Sequence, residues 1–335
     1  MTARRILVTG GTGFIGAALV RRLVRDGHRV RVLDNNLRGT PRRIADVASD
    51  VELVEADVRD ADAVAQAARD IDRVVHLAAI NGTEFFYSMP EQVLDVAVRG
   101  MLAVIDACRA NAIGDLAVAS SSEVYQSPPT VPTDETAPLM VPDVRNPRYS
   151  YGGGKIASEL IAMNYGRTGF ERVVVFRPHN VYGPDMGWEH VIPEFALRAG
   201  EAAAAHPTGP VPFEIQGDGS QTRAFVHIDD FTDGLVTVLD RGAHLGLYHI
   251  GDPEEVTIAD LARRVVATLG READVRTGDA PAGATARRCP DIAKLRALGF
   301  APRVTLEAGL PATVAWYLDN ADLRAEKLDP KAASQ

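Results

Sequence analysis

The stretch ILVTGGTGFIGAALVRRL, residues 6–23, constrains the fold of this chain more than any other feature. An apolar, strand-like run ends at Gly10, and Gly13 and Gly16 then lead into a helical pattern. Glycine permits a tight turn and a close backbone approach to a pyrophosphate, whose charge the amino end of the helix stabilises. A strand, a glycine-rich turn and a helix in this order predict a dinucleotide-binding βαβ unit.

The same unit contains an acidic residue at the end of the next strand-like segment, RVRVLD. Asp34 stands close to the offset of about 20 residues at which a carboxylate bonds the ribose of a dinucleotide. Its charge would repel a 2′-phosphate, so the pattern favours NAD over NADP, although the nearby Arg38 keeps NADP open. Asp57 follows the third strand-like segment and is expected at the adenine edge, with a helix cap as the alternative.

Short β-branched runs alternate with longer helical periods from residue 4 to about 177. This alternation predicts an α/β fold, a Rossmann-type doubly wound parallel sheet with a smaller C-terminal α/β substrate-binding part. The strand candidates are RILVTG, RVRVLD, VELVEAD, RVVHLA, DLAVAS and RVVVFR. We expect an NAD-binding domain with the catalytic residues over 1–177, an interleaved substrate-binding part over 178–325, and a disordered tail over 326–335.

Helical periodicity is clearest between the fourth and fifth strand candidates, in residues 90–112. Apolar residues recur there at helical spacing, which predicts a stripe packed on the sheet. The stripe consists of Val93, Val96, Ala97, Gly100, Met101, Val104 and Ala107. The segments TIADLARRVVATLG and LEAGLPATVAWYLDN predict two further amphipathic helices in the C-terminal half.

Composition excludes several other classes of function. The formal net charge is -9 and basic residues do not cluster with aromatic ones, so nucleic acid is not an expected partner. Cys108 and Cys289 are too few for a disulfide framework, and the histidines show no metal-ligand spacing, so no metal is proposed. With no signal-like or membrane-spanning apolar run, we expect a cytoplasmic protein without a membrane partner.

A tyrosine and a lysine stand one helical turn apart in YSYGGGKIASEL. At positions i and i+4 the side chains of Tyr151 and Lys155 point from the same helix face. An adjacent ammonium and an oxidised nicotinamide would favour the phenolate, which makes Tyr151 a candidate base. A surface Tyr and Lys pair is the alternative. Residues 152–154 are glycines, which indicates either a close approach or a helix that begins later.

Taken together, the motifs resemble those of the NAD-dependent sugar epimerase/dehydratase family, the extended short-chain dehydrogenases/reductases that act on nucleotide sugars. The resemblance covers nearly the whole chain. It is carried by G-x-x-G-x-x-G at 10–16, HLAA at 76–79, SSSEVY at 120–125, Y-x-x-x-K at 151–155, RPHNVYGP around 178, and GDGSQTRAFVHIDD at 217–230.

The resemblance implies bound NAD, a nucleotide-diphosphate sugar substrate, and a homodimer formed through the long helix at 90–112 and the helix of Tyr151. Ser121 would bond the sugar hydroxyl that is oxidised, Tyr151 would take its proton, and Lys155 would hold the nicotinamide ribose. The implied cofactor-binding residues are Gly10, Gly13, Phe14, Ile15, Gly16, Asp34, Asn35, Asp57, Val58, Leu77, Ala78, Ala79, Tyr151 and Lys155. The implied substrate-binding residues are Ser122, Asn180, Arg223 and Arg288.

Two departures from the family pattern lie in the helix over 90–112. Ala97 replaces the usual asparagine, which supports the catalytic hydroxyl and the backbone near the site, and Met101 replaces the usual threonine. These changes put the fine geometry of the site in doubt, although not the cofactor. Trp188, Glu189 and His190 are further candidates for sugar contact.

The carboxylate of Glu123 bears on the reaction. Related dehydratases place an acid and a glutamate after the catalytic hydroxyl, whereas this chain has Ser122 and then Glu123. We expect Glu123 to be a functional base whose pKa is raised by partial burial, with a solvated loop charge as the alternative. Epimerisation through a 4-keto sugar is the first interpretation, and 4,6-dehydration or decarboxylation is the alternative. A non-catalytic NAD-binding sensor is a hypothesis from another class.

Overall fold

The computed structural model describes residues 3–279 and 287–325. Within these ranges the helices are α1 (Phe14–Arg25), α2 (Ala61–Ala67), α3 (Thr83–Ser88), α4 (Pro90–Ala110), α5 (Ser150–Tyr165), α6 (Val191–Ala205), α7 (Ile228–Arg241), α8 (Ile258–Ala267), α9 (Ala293–Arg296) and α10 (Leu306–Asp319). Short 3-10 turns cover Pro41–Asp50, Ser122–Val124, Pro147–Tyr149 and Ala321–Ala325.

The strands in the same ranges are mostly short. They are β1 (Arg5–Thr9), β2 (Arg29–Asp34), β3 (Val51–Glu55), β4 (Arg73–His76), β5 (Asp115–Ala119), β6 (Arg172–Pro178), β7 (Val181–Tyr182), β8 (Val211–Ile215), β9 (Thr222–Ala224), β10 (Val226–His227), β11 (Gly246–Ile250), β12 (Glu255–Thr257), β13 (Ala273–Thr277) and β14 (Arg287–Arg288).

Seven of the described strands form one parallel sheet in the order β11-β6-β5-β4-β1-β2-β3. The six strand candidates of the sequence are all present, and the predicted Rossmann-type α/β fold is confirmed. Helix α4 buries the predicted stripe, and one apolar cluster covers each face of the sheet. Parallel sheets are typically covered on both faces in this way.

The chain after residue 177 contributes to both parts of the molecule. Helix α7 packs on α1, and β11 pairs with β6 to complete the large sheet. A third apolar cluster lies among α6, α8, α10 and the short strands β8 and β13. Residues after 177 therefore contribute to the large sheet as well as to this third apolar cluster. The tail expected over 326–335 lies outside the described residues.

Helices α4 and α5 approach each other closely because of the glycines that follow Tyr151. Helix α5 begins at Ser150, so these glycines lie in its first turn and the later helix start was wrong. A Cβ at Gly154 would lie 2.9 Å from the Cβ of Ala97, whereas a Cβ at Gly153 would meet only Val141, at 3.6 Å. Ala97, where the family has asparagine, thus faces a helix backbone that leaves little room for a longer side chain.

None of the helices in the described residues is long and apolar enough to cross a membrane.

Gly153 and Gly154 allow a matched test of the packing between α4 and α5. Alanine gains about 1 kcal/mol over glycine in a helix at either position. Gly154→Ala also introduces the overlap with Ala97, and overpacking costs about 1–3 kcal/mol. We therefore expect Gly154→Ala to melt roughly 2–6 °C below Gly153→Ala, measured by differential scanning calorimetry. Equal melting temperatures would show that the helices have room to spare at Gly154.

Candidate active site

One cavity of about 420 Å³ lies at the carboxyl ends of the sheet strands and extends towards the second part. This edge is where ligands bind in open α/β sheets. All fourteen predicted cofactor-binding residues line it, as do Ser121, Ser122, Glu123, Asn180 and Arg288. Arg223 lies beside the cavity, paired in register with Arg288 on the neighbouring strand.

The glycine turn has the shape that a pyrophosphate requires. Gly10 has a φ of +76°, and a Cβ there would lie 2.7 Å from the backbone N of Ala78. A Cβ at Gly16 would lie 2.1 Å from the carbonyl oxygen of Gly10. Gly13 begins α1 without a side-chain cap, so no side chain competes with a ligand for the amino end of the helix. These residues fit the phosphates of NAD.

Asp34 is held in place by backbone donors. Its two carboxylate oxygens accept hydrogen bonds from the N–H groups of Thr12, at 3.0 Å, and Asn36, at 2.9 Å. The Arg38 guanidinium lies over the ring of Phe85 and bonds Glu189 at 3.4 Å. Arg38 is thus already paired with a carboxylate, while Asp34 presents a fixed negative charge to the cavity, an arrangement that suits NAD better than NADP.

Asp57 lies in the cavity wall and does not cap a helix. Asp60 caps α2, so the helix-cap alternative for Asp57 was wrong. Asn35 donates to Asp57 at 3.0 Å, and Arg59 binds it through its backbone and its guanidinium. Burial opposes this charge, but the bonds from Arg59 prevail and hold the pKa of Asp57 below its usual value.

Tyr151 and Lys155 are both buried on the cavity side of α5. The ring of Tyr151 stacks on Phe86 at 5.0 Å, and Lys155 donates to the Ala119 carbonyl at 2.8 Å. The alternative of a surface pair was therefore wrong. The sequence did not single out Phe86, because an apolar aromatic in a helix is typical of a core residue.

The pKa values of this pair reflect burial more than mutual attraction. Burial raises the pKa of Tyr151 to about 12, against a hydrogen bond from Ser121 that lowers it and the charge of Glu123 that raises it further. Burial lowers the pKa of Lys155 to about 8, opposed by the charge of Glu159. Activation of the phenolate by the Lys155 ammonium together with the positive charge of an oxidised nicotinamide stays a prediction.

A buried polar network stands behind these residues. The Glu159 carboxylate accepts two hydrogen bonds from Arg177, at 2.8 and 2.6 Å, and a third from Ser120. Arg177 also donates to the hydroxyl of Tyr125, which contacts His249 at 2.6 Å. The network joins α5, β5, β6 and β11 immediately below the cavity.

Glu123 is ion-paired with Arg288 across the cavity, with 2.5 Å between Oε1 and Nη1. Burial alone would raise its pKa, but the charge and hydrogen bond of Arg288, with smaller effects from Arg148 and Arg223, lower it. The expected raised pKa was therefore wrong. The solvated-loop alternative was wrong too, because this side chain is only 26% exposed and is paired.

Gln126 is a residue at the site that the sequence analysis missed. Its amide donates to the Glu123 carbonyl at 2.6 Å, and its backbone has a φ of +53°, which is uncommon for a residue with a side chain. It also packs against the backbone of α5, since a Cβ at Gly152 would lie 3.0 Å from its Nε2. Gln126 thus fixes the turn that presents Glu123.

The remaining candidates for substrate contact lie on the side of the second part. Asn180 donates to the Ala224 carbonyl at 2.9 Å, and Arg223 donates to the Thr222 carbonyl at 2.7 Å. Glu189 and His190 line the cavity, whereas Trp188 packs on Trp316 and Tyr317. Among the described residues, no group of three or more His, Cys, Asp or Glu side chains is arranged to hold a metal ion.

Comparisons with known proteins agree with this geometry. The model of the NAD dependent epimerase/dehydratase family matches residues 6–251. The chain is 32% identical to dTDP-4-dehydro-6-deoxy-D-allose reductase of Streptomyces bikiniensis, over 94% of this chain and 96% of that protein. It is 31% identical to UDP-glucuronic acid decarboxylase 1 of Arabidopsis thaliana, over 92% of this chain and 69% of that protein.

A solved structure is equally similar. The dTDP-glucose 4,6-dehydratase DesIV of Streptomyces venezuelae, with NAD and TYD bound, superposes with a TM-score of 0.83 at 31% identity. The alignment covers 95% of this chain and 98% of that one.

The raised pKa of Tyr151 is testable in protein freed of its cofactor. We expect this phenol to stay protonated at pH 10, because burial raises its pKa to about 12. The absorbance of tyrosinate at pH 10 should therefore be equal in the wild type and in Tyr151→Phe. In denaturant the wild type should exceed the variant by about half a tyrosine, since a free phenol titrates near 10. The same excess in the folded protein would contradict the assignment.

Proposed function

Because the chain belongs to the NAD-dependent epimerase/dehydratase family and is an enzyme that uses NAD, we propose that it oxidises C4 of a nucleotide-diphosphate hexuronic acid and then decarboxylates it. The observation that carries this proposal is the Glu123–Arg288 ion pair in the same cavity as Ser121 and Tyr151. A second candidate is 4,6-dehydration of a nucleotide-diphosphate hexose.

The first step is assigned to Ser121, Tyr151 and Lys155. When bound, NAD accepts the hydride of C4 and returns it at the end of the cycle. Ser121 bonds the C4 hydroxyl, and Tyr151 takes its proton as the 4-keto group forms. Lys155, anchored on the Ala119 carbonyl, supports the ribose of the cofactor and adds positive charge beside the phenol. Ser122, Asn180, Arg223 and Arg288 are proposed to bind the nucleotide-linked sugar.

Decarboxylation follows from the chemistry of the 4-keto sugar and the charge of Arg288. A C6 carboxylate lies β to the C4 ketone, so the C5–C6 bond can break with its electron pair passing into an enolate at C4 and C5. Carbon dioxide leaves, and C5 then takes up a proton that comes from solvent water. This step needs a cation that orients the carboxylate, with the C5–C6 bond aligned with the π system of the ketone, and it needs no acid for a leaving group. Arg288 supplies that cation.

Dehydration also requires a proton donor for the leaving hydroxyl. A C6 hydroxyl leaves only with a proton, and Ser122, at the position of the dehydratases' acid, is a poor donor. Glu123 has a lowered pKa beside Arg288, which makes it a better base than acid. The similarity to the DesIV dehydratase nevertheless supports 4,6-dehydration as the second candidate.

Epimerisation was the first interpretation of the sequence. The comparisons support the dehydratase and decarboxylase alternative better, because a 4,6-dehydratase and several decarboxylases stand among the most similar curated proteins. A non-catalytic sensor is disfavoured by a site that retains Ser121, Tyr151 and Lys155 around one cavity.

We also propose that the enzyme is a homodimer formed through α4 and α5. These helices expose large apolar side chains: Leu94 is 42% exposed, Leu160 is 60% exposed and Tyr165 is 39% exposed. Exposed apolar patches commonly mark interaction surfaces. Leu94 lies close to the Gly154 contact, so this exposed side chain flanks the junction of the two helices.

The reaction is tested with nucleotide-linked glucuronic acid in deuterium oxide. We expect release of carbon dioxide and a pentose product with one deuterium at C5, identified by NMR and mass spectrometry. Arg288→Gln should lower kcat by about 10²- to 10³-fold, the loss typical of one electrostatic donor. Arg287→Gln is the matched control, because Arg287 bonds Glu255 and the Val131 carbonyl and does not line the cavity.

The same assay separates the alternatives. A 4-keto-6-deoxy product from a neutral nucleotide hexose, without decarboxylation of the uronic acid, would favour dehydration. Inversion at C4 without solvent deuterium would identify a simple epimerase.

The dimer is tested by light scattering after size exclusion. The wild type should have a mass near twice the 35.9 kDa of the chain. Leu160→Asp should give a monomer, because it places a charge in the proposed apolar interface. Val144→Asp should leave the dimer intact, since Val144 is 89% exposed but belongs to neither helix. A monomeric wild type would overturn the proposal.

A further inference from the structure

Two charged segments meet at the wall of the cavity that contains the glycine turn and Asp34. One is the arginine segment, residues 38–43, which follows β2. The other is the acidic loop, residues 185–190, which precedes α6. Both contribute to the wall of the cavity, through Arg38, Gly39 and Arg43 on one side and Met186, Gly187, Glu189 and His190 on the other.

Three ion pairs join the segments. Arg42 and Arg43 both contact Asp185, at 3.0 and 3.2 Å, and Arg38 contacts Glu189 at 3.4 Å. The two carboxylates are only 17% and 25% exposed, so they are less screened by solvent than ordinary surface pairs. Gly187 packs beside the Arg38–Glu189 pair, where a Cβ would lie 3.4 Å from both charged groups.

Each segment is anchored to a different part of the molecule. Thr12, within the glycine turn, accepts a hydrogen bond from the N–H of Thr40, and a Cβ at Gly39 would overlap its hydroxyl. On the other side, Tyr317 of α10 donates to the Met186 carbonyl at 2.7 Å. The ion pairs therefore connect the glycine turn to the C-terminal helix across the cavity.

We propose that Arg38, Arg42 and Arg43 with Asp185 and Glu189 form an electrostatic clasp that retains NAD in its cavity. Arg38, Arg43 and Glu189 line the cavity whose glycine turn fits NAD, so separation of their ion pairs would open its wall. In a reaction that returns the hydride to the molecule from which it was removed, loss of the reduced cofactor would leave the intermediate oxidised. Retention of the cofactor prevents this loss. The clasp depends on NAD being the cofactor and not on which sugar is transformed.

The molecule carries its own reporter of clasp closure. The chain contains two tryptophans, and both lie at the clasp: Trp188 in the acidic loop and Trp316 in α10, with ring centroids 5.9 Å apart. The guanidinium of Arg42 lies 5.9 Å from the centroid of the Trp316 ring. Separation of the segments alters the surroundings of both indoles, so their fluorescence follows the clasp.

The experiment measures the rate at which NAD leaves the purified holoprotein, by stopped flow and without any sugar. Asp185→Asn removes the partner of two arginines at constant shape, and Glu189→Gln removes the third pair. We expect NAD to dissociate roughly three- to tenfold faster from Asp185→Asn, in step with the tryptophan signal. Salt should accelerate dissociation from the wild type more than from Asp185→Asn.

Asp274→Asn is the matched control, since it breaks the exposed Asp274–Arg276 pair outside the cavity. Dissociation rates that are unchanged in both clasp variants, or changed equally in the control, would overturn the proposal. Glu189→Gln serves as the second test if Asp185→Asn does not fold. Because no sugar is present, this experiment tests the clasp separately from the proposed reaction. Unaltered NAD release in the variants would overturn the clasp but not decarboxylation. Turnover of a different sugar would overturn decarboxylation but not the clasp.

Discussion

The active cavity depends on one buried ion pair, between Glu159 of α5 and Arg177 of β6, both nearly inaccessible to solvent. Two desolvated charges are stable only when their remaining hydrogen bonds are satisfied, and here Ser120 and Tyr125 complete them. Removing one partner of such a pair typically costs about 3–5 kcal/mol because the other charge is left buried and alone. The pair connects α5, which carries Tyr151, to the carboxyl end of β6. Ser121 follows Ser120 in the chain, so the same network also holds Ser121 in place.

The site combines groups whose charges are set by different parts of the chain. The N-terminal part supplies the glycine turn, Asp34 and the Tyr151–Lys155 pair, which are held by contacts within that part. The C-terminal part supplies Arg288, which determines the ionisation of Glu123 from 165 residues away. Arg288 keeps the Glu123 carboxylate ionised, whereas an apolar pocket would keep it neutral. An ionised carboxylate can act as a base at C5, and a neutral one as an acid.

The sequence predicted six of the seven strands of the sheet and the residues that surround the cavity, because glycine turns, β-branched runs and helical stripes are local signals. It missed β11, a five-residue strand without a distinctive pattern that is defined by its pairing with β6. It also predicted the wrong direction for the pKa of Glu123, since partial burial is suggested by sequence but the approach of Arg288 is not. Gln126 was missed for a similar reason: its role rests on a backbone conformation that glutamine rarely adopts.

The position of β11 has a consequence for how the protein is made. Until that strand pairs, β6 is an edge strand with unsatisfied backbone groups and almost wholly buried apolar side chains, a combination that invites pairing with other chains. The ribosome must first add the whole segment from the end of β6 to the end of β11, which takes roughly 4–14 seconds at about 5–20 residues per second. During that interval the nascent sheet is incomplete and is a natural substrate for a chaperone.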